Sequence, residues 1–522
     1  MREPAMRAEL DDRLTRAAAV VLAAALVGCG GTDPNAPVAE HTANVTTNDS
    51  AVRSDPAPPT GGAEGEPDSS TRTADALPVV DRVVFQRRAD LYAINSDGTG
   101  LTPLATTGDD EWFAAATPGG RVIYTHVHAG QSDLYSVPVL GGPPTALAAT
   151  PASERFAGLT PLGRVIYRRC STQCDLLAVN ADGTGRSVLA DSSDDELYHG
   201  STRDGRVIYA RATAGQIDLY SVFEDGRDRR ALAFSADKEF FNALTPEGHV
   251  IYTRMFAGQP DLHSVRADGS ESRRLATRLD AERFIALSSR GRVIFERAIG
   301  DGRRELHAID ADGSMPVRLL SDYASAYPVR TGPDGYVFSH QVFGSRIVVV
   351  AIRDDGTGFG GLSDAGTGNE YFGGVTPEGR AIIESTTLTS SDLYMVNRDG
   401  TGRILLDQAD LPDRVRFSGI TADSDVIYTA TNRNQLDLRA ASGDGIRTWV
   451  LASSLDDEQF RAATQSASRR IVFERRRSTG QRDLYSVDRF GRDLAALANS
   501  MNDESFAAVL TVSRWTLPPV GF

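Results

Sequence analysis

Eight glutamates, Glu111, Glu154, Glu196, Glu239, Glu282, Glu370, Glu458 and Glu504, each stand two residues before an aromatic side chain. Several have acidic neighbours, as at Asp109-Asp110, Asp194-Asp195 and Asp456-Asp457. Carboxylates repeated at one structural position can act in two ways. Gathered around one opening, they form a ring of like charge that focuses the field and draws cations or basic segments. Folded back, each anchors its own loop to the adjacent backbone. Both readings can hold in different copies.

Other residue types that could do chemistry are scattered. A second acidic column, Asp90, Asp133, Asp175, Asp218, Asp261, Asp392, Asp437 and Asp483, opens runs such as Asp-Leu-Tyr and reads as buried side chains satisfying backbone donors. Asp310 and Asp312 before Gly313 have the composition of a calcium loop. Equivalent positions at Asp225-Gly226 and Phe490-Gly491 lack a ligand set, so the turn reads as a hairpin. His126 and His128 alternate and could share one strand face, whereas His199, His249, His263, His307 and His340 fall at other points of the repeat. No Gly-x-Ser-x-Gly elbow occurs. No catalytic residue, metal site or cofactor is assigned.

The elements that must position these groups come from one unit written ten times, about every 43 residues. Its aromatic column runs Phe113, Phe156, Tyr198, Phe241, Phe284, Tyr327, Phe372, Phe417, Phe460 and Phe506. Two residues on stands a column of mostly small side chains, from Ala115 and Gly158 to Ala462 and Ala508, where something packs closely. Four residues on stands Ser or Thr in every copy but the last, before a turn such as Thr117-Pro118-Gly119-Gly120. Apolar runs such as Val122-Ile123-Tyr124 read as central strands covered on both faces. The Asp-Gly pairs at Asp97-Gly98 and Asp182-Gly183 mark hairpins that need positive φ. The repeat lacks helical periodicity, and its four short antiparallel strands are the blade of an all-β propeller.

The repeat resembles the TolB-like, WD40-like (PD40-type) propeller repeats of bacterial envelope proteins, in which a Ser-Pro-Asp-Gly turn precedes an apolar strand. Here that turn is mostly Thr-Pro-x-Gly, and the likeness spans roughly residues 80 to 520. It departs at Ser288-Ser289-Arg290-Gly291 and between Tyr327 and Val350, where Arg346 replaces the strand-three aspartate. Val83-Val84-Phe85 has no preceding aromatic strand, while Glu504 to Val509 is a lone one. The two ends are therefore expected to share a blade and remove the open sheet edges. Ten blades could form one ring or two rings of five. The tight hairpin at Ser288 to Arg292, where two rings would divide, favours one ring over residues 79–522.

Arg13 and Arg16 precede an apolar stretch from Ala17 to Val27, too short to span a bilayer, that ends in Leu26-Val27-Gly28-Cys29. This resembles a lipoprotein signal peptide over residues 1–28, and the resemblance implies cleavage before Cys29 and its lipidation. Residues 29–78 are Pro-, Thr-, Ser- and Asp-rich with few large apolar groups, and read as a disordered tether of roughly 40 Å root-mean-square reach. Gly30 after the lipid site resembles outer-membrane sorting. The other two cysteines, Cys170 and Cys174, are placed to form a local disulfide in an oxidising periplasm.

The formal net charge of −15 argues against a nucleic-acid partner. The expected function is that of a membrane-anchored envelope lipoprotein whose propeller binds or scaffolds a protein or peptide, basic if the glutamates ring the mouth. The alternative is a propeller-hosted lyase or hydrolase acting on envelope or extracellular carbohydrate.

Overall fold

The computed structural model describes residues 79–513, except 214, 277–280, 301–302, 322–328, 365–367, 433–434 and 467. The expected signal peptide over residues 1–28, Cys29, the expected tether over residues 29–78 and Tyr327 lie outside the described residues.

Each repeat forms one four-stranded antiparallel sheet with its strands in chain order, and there are ten sheets. Blade 2 shows the pattern, with strands Asp110–Ala116, Arg121–His128, Gln131–Pro138 and Thr145–Ala148. Blade 1 is the expected composite. It takes strands two to four, Val79–Arg87, Asp90–Asn95 and Thr102–Ala105, from one part of the chain and strand one, Glu504–Ser513, from another. Val84 lies opposite Ala508 and Phe85 opposite Phe506. The blades are numbered from this composite in chain order. The chain is a ten-bladed β-propeller closed as one ring.

The turn chemistry works as the residue types dictate. The Thr117 hydroxyl accepts the Arg121 N–H at 3.1 Å, and Gly120, at φ 74°, donates its N–H to the Thr117 carbonyl at 3.0 Å. Equivalent hydroxyls at Thr160, Thr202, Thr245, Ser288, Thr376, Thr421 and Thr464 accept the N–H of the residue that opens or immediately precedes strand two of their own blades. Strand two is the centre of each blade. Val122, Ile123 and Tyr124 are buried, as are Val207, Ile208 and Tyr209.

Strand one carries a device that periodicity alone does not reveal. Its pairing jumps from Phe113 opposite Tyr124 to Ala115 opposite Ile123, which makes Ala114 an extra residue. The same jump separates Phe156 from Gly158, Tyr198 from Gly200, Phe241 from Ala243, Phe417 from Gly419 and Phe460 from Ala462. One extra residue in a period-two strand turns the following side chains to the opposite face. The aromatic therefore faces the preceding blade and the small residue faces the next one. Phe113 packs in one cluster with Ala508, Phe156 with Ala115, Phe284 with Ala243 and Phe506 with Ala462. A Cβ placed on Gly158 would stand 2.3 Å from the Tyr198 ring, and one on Gly419 2.5 Å from Phe460.

Blade 7, the departure noted in the sequence, has a strand one of only Arg330–Thr331 and a strand four of Gly360–Gly361. Phe338 there stacks on Phe372 of blade 8 at 4.4 Å between ring centroids.

Gly158→Ala and Gly419→Ala should each destabilise the propeller by about 1–3 kcal/mol through overpacking. Gly108→Ala, where a Cβ meets nothing within 4 Å, should leave the denaturation midpoint unchanged.

Candidate functional site

The loop from strand four to the next strand one brings the glutamate column into position, and the structure buries it. Among the eight, exposure is at most 3%, so none of these side chains presents an open charged ring to solvent. Each carboxylate turns back instead. In six copies it accepts a hydrogen bond from a Ser or Thr hydroxyl four residues earlier. Thr107 donates to Glu111, Thr150 to Glu154 at 2.5 Å, Ser192 to Glu196 at 2.5 Å, Ser454 to Glu458 at 2.6 Å and Ser500 to Glu504 at 2.5 Å. Ser235 holds Glu239 in the same way. Arg403 pairs with Glu370 at 2.6 Å, and Arg297 stands 3.6 Å from Glu282. Loop anchoring therefore describes these contacts. The anchors are mainly hydroxyls and arginines rather than the adjacent backbone alone.

Burial has an electrostatic consequence. It raises the carboxyls of Glu154, Glu196 and Glu239 above the usual range, and pushes Glu458 up to about 7. A neighbouring aspartate of the preceding blade adds to each rise: Asp133, Asp175, Asp218 and Asp437 in turn. The strand-three aspartates are structural, but side chains supply many of their donors where backbone groups were expected. Gln131 donates to Asp133 at 3.1 Å, Arg169 to Asp175 at 2.9 Å, Gln216 to Asp218 at 3.2 Å and Arg274 to Asp261 at 2.8 Å.

The histidines do not converge. His126 and His128 do share a face, both reaching Asp109, at 3.2 and 2.9 Å. That hydrogen bond raises the His128 pKa. His199 stacks on Phe241 of the next blade at 4.7 Å, and burial lowers its pKa to about 4. His263 and His307 stack on Tyr252 and Phe295 of their own blades. His340 accepts the Phe372 N–H at 3.2 Å. Among the described residues no group of three or more His, Cys, Asp or Glu side chains has the geometry of a metal site. Asp312 binds the N–H and hydroxyl of Ser314 at 2.8 and 2.6 Å, a hairpin turn without a bound ion's geometry. Cys170 and Cys174 are joined in a disulfide, across the first pair of the strand two–strand three hairpin of blade 3.

What does reach solvent on strand one is a different column. Immediately before the aromatic stand Trp112, Arg155, Arg283 and Arg416, all exposed. Neighbouring strands one adjoin each other around the ring, which makes this strand the innermost. Trp112, Arg155 and Arg416 lie opposite Thr125, Arg168 and Thr429, one step from the aromatic and so on the other face of the sheet. Arg283 also pairs with Glu296 at 2.7 Å. This column escaped the sequence reading because its members share no residue type. The signal was the alternation itself, with each member one step from a buried side chain, a glutamate before Trp112, Arg155 and Arg283 and Val415 before Arg416.

Blade boundaries are also stitched by a column that sequence reading passed over. The serine of strand three donates to a carbonyl of the next blade, Ser136 to Ala181 at 2.6 Å and Ser486 to Ser96 at 2.5 Å. Arg164 and Arg292, at the start of strand two, reach the carbonyls of Glu224 and Asp354 at 2.6 and 2.5 Å. Their regular spacing was visible without the fold; their partners were not.

No family model and no curated protein matches the chain. Solved structures do. The tricorn protease is 12% identical over 79% of this chain and 49% of its own, with a TM-score of 0.29. Dipeptidyl peptidase 4 of Porphyromonas gingivalis is 10% identical, covering 72% of this chain and 65% of that one at a TM-score of 0.44. TolB from Acinetobacter baumannii is 15% identical, covering 56% and 81% at 0.26. The chain thus spans about half the length of the tricorn protease. These likenesses concern the propeller fold.

Ser192→Ala and Ser454→Ala should each cost about 0.5–1.5 kcal/mol of stability, because Oε1 of the buried glutamate loses its hydroxyl donor and keeps only the Ser192 N–H or the Arg475 guanidinium. Chemical denaturation of the two variants checks this.

Proposed function

We propose that this protein is a lipid-anchored component of the bacterial envelope whose propeller binds a protein or peptide partner at its inner opening. The observation that carries the reading is the exposed strand-one column of Trp112, Arg155, Arg283 and Arg416. Tryptophan and arginine combine large contact area with directed hydrogen bonding, and they are the residue types that dominate binding energy at interfaces. The buried glutamates offer no open anionic ring, so the partner segment that suits this opening is acidic or aromatic rather than basic. The lipidation motif at Cys29 and the polar tether after it support attachment to a membrane, with the ring held off its surface.

Two outcomes test the reading. Trp112→Ala combined with Arg155→Glu and Arg416→Glu should abolish the capture of envelope partners in cross-linking experiments while leaving the thermal midpoint unchanged, because these side chains are exposed. Unchanged capture would remove the opening as the binding site. Cys29→Ala should abolish incorporation of labelled palmitate and release the protein from the membrane fraction. Retention with no loss of label would remove the anchor.

A further inference from the structure

Blade 10 carries arginine at three positions that most other blades fill with uncharged residues, and the fold brings the three together. Its first three strands are Asp457–Ala463, Arg470–Arg476 and Arg482–Asp488. Arg461 is the extra residue of the strand-one bulge, where other blades have Ala114, Ala157, Asn242, Ser418 and Ala507. Arg476 ends strand two and lies directly opposite Arg482, which opens strand three. The same cross-strand pair is Val127 and Ser132 in blade 2, Ala212 and Ile217 in blade 4, Met255 and Pro260 in blade 5, and Thr431 and Leu436 in blade 9. Like charges directly opposite each other in a sheet repel.

The three arginines line a cavity of about 360 Å³ together with Gln459, Glu474 and Asp503. The cavity lies at the boundary with blade 1. Glu474 accepts the N–H of Phe506, in strand one of that blade, at 3.0 Å, and Asp503 immediately precedes the same strand. Two of the guanidinium groups are held in place. Buried Glu474 takes Arg461 at 2.7 Å, and Asp503 takes Arg482 on both oxygens at 2.6 to 3.2 Å. Arg476 is exposed and makes no side-chain hydrogen bond or ion pair with any described residue; its charge reaches Asp503 at longer range. Asp457, opposite Arg476 on strand one, is turned to the preceding blade, where it accepts the Leu436 N–H at 3.1 Å.

Three guanidinium groups against two carboxylates leave one positive charge, and it resides on the arginine whose donors are unused. A carboxylate supplies one negative charge and two coplanar oxygens, the geometry that a guanidinium fork accepts. A phosphate brings a further charge for which the cavity has no cation. Gln459 stands immediately before the aromatic Phe460, the position of Trp112 and Arg155 in their blades, so the cavity adjoins the column on which the binding surface was built.

We infer that this cavity receives an aspartate or glutamate side chain of the acidic segment bound at the opening, with Arg476 as the residue that reads its charge. The inference rests on the reading of the opening as a binding surface for such a segment.

The test uses the full chain in detergent and a fluorescein-labelled hexaglutamate peptide, followed by fluorescence anisotropy at low ionic strength. The net charge of −15 repels such a peptide overall, so its binding reports a local cationic site. Wild type should bind it, and Arg476→Ala should weaken binding about tenfold or more, the loss expected for one hydrogen-bonded charge. Arg203→Ala makes the same charge change at an exposed turn of blade 4 and should leave binding unchanged. The thermal midpoint of Arg476→Ala should not fall, because the side chain is exposed and its removal relieves the repulsion with Arg482.

No binding by wild type, or equal weakening by Arg203→Ala and Arg476→Ala, overturns the site. Binding that is lost in the Trp112→Ala, Arg155→Glu, Arg416→Glu protein but kept in Arg476→Ala overturns it as well, while the opening stands. Binding that depends on Arg476, combined with unchanged capture of envelope partners by that triple variant, supports the carboxylate site and removes the wider reading.

Discussion

In most blades, as at Phe113, Phe156, Tyr198, Phe284, Phe417, Phe460 and Phe506, the aromatic side chain of strand one rests on a residue that has almost no side chain, two positions past the aromatic of the blade before. That contact is where neighbouring sheets come closest. It needs a bulge to invert the face of strand one, a small residue to admit the ring, and a partner blade on each side. A single blade satisfies none of its contacts alone, so the unit of stability is the closed circle. Phe113 against Ala508 is the same contact made across the ends of the chain, and it turns an array with two raw edges into a ring with none.

Polar groups extend this logic to the loops. A hydroxyl four residues before the glutamate, a strand-three serine reaching the next blade and an arginine at the head of strand two each tie one repeat to the following one. These interactions lie away from water, where a well-made hydrogen bond is worth most and an unmade one costs most. The glutamates belong to this internal network. Their burial moves the candidate surface to the exposed side chains of the innermost strand. These positions vary from copy to copy, from Trp112 to Arg155 to Leu197, and that variation is where one copy differs from another.

The structure therefore separates two kinds of column. Columns of constant residue type, the aromatic, the small residue, the hydroxyl and the glutamate, hold the ring together. The column of inconstant type carries what distinguishes this ring from another. Chemistry that recurs identically in copy after copy is a poor guide to a specific site, since ten equal positions cannot single out one ligand.

Much of the fold was legible before any coordinates, and for a physical reason. Blade number, strand order and the composite first blade are set by local patterns, namely turn residues with fixed backbone requirements and apolar runs of fixed period, repeated until chance is excluded. The short strands of blade 7 were foreshadowed by the departure near Arg346. The direction of the glutamates was not legible. Whether a carboxylate at the start of strand one faces the channel or its own loop depends on the distance to a hydroxyl four residues back and to an aspartate in another blade, and neither is a property of spacing along the chain. The bulge that reverses the small-residue column is equally silent in the sequence, because an extra residue within a strand looks like any other. Local pattern thus determined the repeating unit and its closure into a ring. Only the meeting of one blade with the next decided which charges are buried and which side chains the opening presents.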